Sequence, residues 1–137
     1  VRSLAIVLFV SVAVALGGCG RAGTSGVKAG IEQIASISGE GALVAEGVAR
    51  SRTKTSFVRV HGAELSAQAE HEAEKLSDDP VTSSLKPRIE RAIKLAADIG
   101  GAIDDLRVSP HDRAQAREDE AKLRVWAQQA ATLAEAL

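Results

Sequence analysis

The sequence predicts an all-α protein, a small antiparallel bundle of four helices behind an N-terminal leader, and three observations carry that expectation. Beyond residue 27 no stretch alternates apolar and polar side chains as a half-buried strand does. Apolar residues recur instead every three or four positions, the repeat of a helix face. The three prolines, Pro80, Pro87 and Pro110, stand where a bundle needs connections or first turns. At 137 residues the chain holds one small domain at most.

The leader comes first. Arg2 and the amino terminus make a small positive region, and Leu4 to Leu16 follow without a charge. That run has the length and flanks of a secretory signal, whereas a spanning helix needs about 20 apolar residues. Gly17, Gly18, Gly20 and Arg21 close it early, and an uncleaved anchor is the second reading. The run ends in Leu16-Gly17-Gly18-Cys19, which resembles the lipobox of bacterial lipoproteins: an aliphatic residue, two small residues and the cysteine that is acylated. The resemblance covers residues 1–20 alone. It implies cleavage before Cys19, a diacylglyceryl thioether on Cys19, and a lipid-anchored, extracytoplasmic place at a bacterial cell membrane. Small residues at 17 and 18 let an extended backbone enter a protease cleft, and a thiol is the best nucleophile the chain has for lipid transfer. Each buried acyl CH₂ contributes about 0.8 kcal/mol, so two or three chains hold stably where one holds marginally. The plainer reading of Cys19 is a lone thiol behind a signal cut at an ordinary site.

On this division residues 1–18 are signal peptide, 19–27 a Gly/Ser/Thr-rich tether, and 28–137 the bundle. Ile31, Ile34, Ile37, Val44 and Val48 mark a first helix over about residues 27–50, although Gly39, Gly41 and Gly47 each cost it up to ~1 kcal/mol relative to Ala. Ser51 and Thr55 interrupt its stripe, which places a break near 53–55. Phe57, Val58, Leu65, Ala69, Ala73 and Leu76 mark a second helix over residues 56–77, stopped by Asp78-Asp79-Pro80. The alternative is three helices, with residues 43–77 one continuous rod.

The third helix is the clearest: Leu85, Ile89, Ala92, Ile93, Ala96, Ile99, Ile103 and Leu106 form one stripe, with Pro87 in the first turn. Ser109-Pro110-His111-Asp112 then reads as a helix start with Ser109 as N-cap, Pro110 at N1 and Asp112 at N3. The fourth helix follows on Ala116, Leu123, Ala127, Ala130, Ala134 and Leu137, with Trp126 at the stripe's edge.

Composition limits the chemistry. One cysteine makes no disulfide framework and no Cys-based zinc or iron–sulfur site. A net charge of −1 lacks the basic excess of a nucleic-acid binder, so no nucleic acid is expected as partner. Past the leader, Phe57 and Trp126 are the only aromatic side chains of the Phe, Tyr and Trp kind, too few for a groove that stacks bases or sugars. No nucleophile elbow, phosphate loop or His-Glu-x-x-His is present, so no catalytic residue is expected and no cofactor.

Two constellations remain. His61, Glu64, Gln68 and His71 share a helical face and offer imidazole and carboxylate donors to a metal. His61 and His71, however, are about 15 Å apart along one helix, too far to share an ion. The plain reading is a solvated polar face, and His111 reads as a polar first-turn residue. Arg50, Arg52, Lys54 and Arg59 form an acid-free stretch at the tip of the first hairpin, a possible contact for anionic lipid or an acidic partner, or simply a polar loop. The function expected is a membrane-anchored lipoprotein with a non-catalytic helical domain that meets a protein partner or serves structure. The alternative is a bundle binding a small ligand, or a metal through His61, Glu64 and His71.

Overall fold

A computed structural model describes residues 23–137, and the protein there is all-helical. The leader, its Leu16-Gly17-Gly18-Cys19 end and the first four residues of the expected tether lie outside the described residues. Helices α1 (Thr24–Ala49), α2 (Thr55–Asp78), α3 (Lys86–Val108) and α4 (Arg113–Glu135) run up and down, as short connections between long helices dictate.

The first helix begins earlier than its apolar stripe. The tether was expected to extend through residue 27, but Thr24 already opens α1, and Val27 is wholly buried with Ile31, Ile34 and Ile37. A buried side chain one turn in fixes the turn before it, so Gly and Ser positions that favour coil in isolation become helical.

The break between α1 and α2 decides for four helices against the long rod. The amide of Arg52 donates to Gly47 C=O at 2.8 Å and that of Ser51 to Val48 C=O at 3.0 Å. Those two bonds, with Ser51 at φ 55°, are a Schellman ending, which uses a left-handed residue to turn the chain off the helix. The Thr53 side chain folds back over Gly47, where a Cβ would meet its hydroxyl. Arg113 reaches from α4 to donate Nε to Ala49 C=O at 3.0 Å, satisfying a carbonyl at the negative end of α1.

The expected start of the fourth helix is corrected. Asp112, not Ser109, is the N-cap, and its carboxylate accepts from the amides of Ala114 and Gln115 at 3.0 Å. Ser109 C=O accepts from the Asp112 amide at 3.0 Å, so Pro110 stands in a turn that precedes the helix. The fixed φ of proline suits either place, and the carboxylate cap is what separates them.

α1 packs along α4 most extensively and α2 along α3, α1 also meets α2 and α3, and α2 and α4 do not touch. α1 is therefore the central helix, and Ile31, Ile34, Ile37, Ala42, Ala45 and Ala49 are buried along one broad face of it. Among the described residues the core extends from Val27 to Ala134. Ser38, fully buried, donates its hydroxyl to Leu123 C=O at 2.7 Å across the α1–α4 seam. Small buried side chains on both helices, Gly41, Ala42 and Ala45 on α1 and Ala116, Ala130 and Ala134 on α4, suit so close an approach.

On α2 the buried stripe is Val58, Gly62, Leu65, Ala69, Glu72 and Leu76. Phe57, expected in that stripe, is half exposed, because one residue is a 100° step and Val58 holds the inward direction. Leu137 and Ala127, expected in the α4 stripe, are half-buried at its border, while Asp119 is inside it.

Candidate functional site

The basic stretch lies at the end of the bundle formed by the α1–α2 and α3–α4 turns. Thr55 Oγ1 lies 3.3 Å from His111 Nε2 and joins the two turns. Arg50 is partly neutralised there: its guanidinium is 2.7 Å from Glu46, whose other oxygen meets Arg124 of α4 at 2.8 Å. Arg52, Lys54 and Arg59 are exposed and have no acidic partner among the described residues. The four residues thus separate into one that braces α1 to α4 and three that offer free positive charge. α1 is about 39 Å long at 1.5 Å per residue, so this end is distant from the start of α1.

The histidine face is arranged differently from a metal site. His61 Nε2 is 2.8 Å from Glu40 of α1, and Nδ1 is 3.3 Å from Glu64. Each ring nitrogen of His61 thus faces a carboxylate oxygen, which accepts whichever ring N–H is present. The carboxylates stand on opposite edges of the ring, which leaves no common point for an ion. Phe57 stacks against the same ring with centroids 4.9 Å apart. His71 is exposed and takes no part, and no group of three or more His, Cys, Asp or Glu among the described residues is placed to hold a metal. The set His61, Glu64 and His71 is not brought together. It works as an α1–α2 clasp.

A third feature is a groove of about 830 Å³ between the first half of α3 and the last half of α4. Arg88, Arg91, Leu95 and Asp98 line one side, and Val125, Trp126, Gln129 and Leu133 the other. It exists because α4 leans on α1 through its alanine stripe, leaving a looser seam with α3. Lys94 is paired with Asp98 at 2.7 Å. Arg88 and Arg91 have no acidic partner among the described residues.

No family model, no curated protein and no solved structure matches the chain. What the sites do must therefore be read from their own geometry.

Two buried carboxylates were not anticipated. Glu72 is 8% exposed and accepts from Lys75 Nζ at 2.9 Å on both oxygens. Asp119 is 1% exposed, accepts from the Gln115 amide at 3.0 and 3.1 Å, and has Lys122 at 3.5 Å. Each is served by neighbours on its own helix, so burial leaves no acceptor unmet. Their spacing gave a signal: Glu72 lies seven residues after Leu65, and Asp119 four before Leu123, both on the apolar stripe. The groove gave a fainter one, since Arg88, Arg91 and Leu95 follow at helical spacing and Trp126 sits off the alanine stripe.

Proposed function

We propose that this chain is an acyl-anchored, non-catalytic helical bundle of a bacterial cell envelope, held to the membrane through Cys19 and acting by presenting its surfaces to a protein partner. The observation that carries the reading is Leu16-Gly17-Gly18-Cys19 standing five residues ahead of Thr24, where α1 begins. Two facts support it. No helix among the described residues is long and apolar enough to cross a membrane, so attachment falls to the segment before α1. The free cations of Arg52, Lys54 and Arg59 lie at the far end of α1, where a bundle standing on its anchor would offer them to an acidic partner beyond the bilayer surface.

Fractionation of cells expressing the native chain and the Cys19→Ala variant tests the anchor. The native protein stays with membranes through a high-salt wash, and the variant loses that salt-resistant association or its processing. Equal partition of the two contradicts the reading. For the partner, a photocrosslinking residue at position 52 yields a discrete adduct in intact cells, and that adduct weakens when Lys54 and Arg59 are changed to Ser.

A further inference from the structure

We propose that the α3–α4 groove is a binding site for a long-chain fatty-acid carboxylate. The proposal goes beyond the envelope reading and does not need Cys19 to be acylated. Its first support is the sorting of polarity along the groove. Counting back from Val108 and forward from Arg113 sets Arg88 level with Leu133 and Asp98 level with Leu123, just beyond Val125 and Trp126 of the lining, a span of about 15 Å at 1.5 Å per residue. At the Arg88 end two guanidiniums lack an acid among the described residues; at the other end Lys94 is neutralised by Asp98 at 2.7 Å. One charged head and one uncharged tail match that gradient. A partner helix, carrying charges at every turn, would set some of them against Asp98.

The second support is the apolar part of the lining. Leu95, Trp126 and Leu133 are half-buried apolar side chains in contact with the core, and the groove they line is within the roughly 300–1,000 Å³ of small-molecule sites. A guanidinium holds a carboxylate through two parallel N–H donors, and an alkyl chain laid over the indole removes apolar surface from water on both sides. Arg88 and Arg91, one turn apart on α3, face the same head group.

Trp126 is the only tryptophan of the chain, so its fluorescence reports the groove alone. The titration uses the full chain, with helicity checked by circular dichroism. Titration with dodecanoate below its micellar range gives a saturable Trp126 change at one ligand per chain. Arg88→Gln with Arg91→Gln, both at the surface, weakens it at least tenfold while helicity and melting are kept. Arg52→Gln with Lys54→Gln, at the other end of the bundle, leaves it unchanged, and dodecyltrimethylammonium binds at least tenfold more weakly. No saturable change, equal binding of the cationic amphiphile, or indifference to the Arg88 and Arg91 changes overturns the proposal. So does a groove that ignores dodecanoate and accepts an acidic amphipathic peptide, which would make it a seat for a partner helix.

Discussion

Ser51 holds a left-handed conformation, φ 55°, where its Cβ crowds the backbone and glycine does not. The two Schellman bonds at 2.8 and 3.0 Å keep it there. Ser51→Gly therefore raises stability by about 1 kcal/mol, read as a higher midpoint in urea unfolding. Asp112→Ala has the opposite sign. It removes the acceptor of two amides at 3.0 Å and costs about 1 kcal/mol, while Ser109→Ala, once expected to remove the cap, costs little. At this scale the sequence was legible as residue type but not as position. Ser109-Pro110-His111-Asp112 announced a helix start correctly, yet Ser and Asp are both good caps and Pro suits both the turn and the first helical residue. Only the path of the chain after α3 tells them apart.

Among the elements, α1 shows why glycine content misjudges a helix. Gly39 and Gly41 lie two residues apart, yet a Cβ on Gly39 would meet nothing within 4 Å, whereas one on Gly41 would lie 3.0 Å from two carbons of Ile103. Ile103 is 1% exposed and has no room to withdraw. Gly39→Ala thus gains about 1 kcal/mol of helix propensity. Gly41→Ala loses more to overpacking than it gains and lowers stability by about 1 kcal/mol. Thermal melts of the two variants should move in opposite directions; movement in the same direction contradicts the packing. The stripe of α3 was plain in the sequence because Ile89, Ile99, Ile103 and Leu106 are large. α4 was legible as a helix, but its alanines do not say which neighbour they approach. The α3–α4 groove follows from that choice of neighbour, so it could not be read from spacing. The α1–α2 break was legible as a loss of apolar residues at Ser51 and Thr55, and its mechanism, a left-handed serine under Thr53, was not.

For the molecule as a whole, the arrangement separates three roles along one axis. The turn end carries Arg52, Lys54 and Arg59. The opposite end has the start of α1, and the same half of the bundle opens the groove with Arg88 and Arg91. Between them, α1 joins all the other helices and carries more of the large buried side chains than any other helix. Cutting the chain to residues 23–137 should leave the melting temperature within about 2 °C of the full chain, since the four described helices bury a core of their own from Val27 to Ala134, and a 1 kcal/mol loss would shift it by about 4–8 °C in a domain of this size. The metal alternative was weakened already in the sequence by the distance from His61 to His71; the Glu40 contact, which turns His61 into a clasp, depends on how α1 and α2 meet.

The envelope reading rests on one sulfur atom, and intact-mass spectrometry of the mature protein isolated from cells examines it most directly. The account predicts an amino terminus at Cys19 carrying the added mass of a diacylglyceryl group. A mature chain that begins elsewhere, or a Cys19 thiol without lipid, would contradict it.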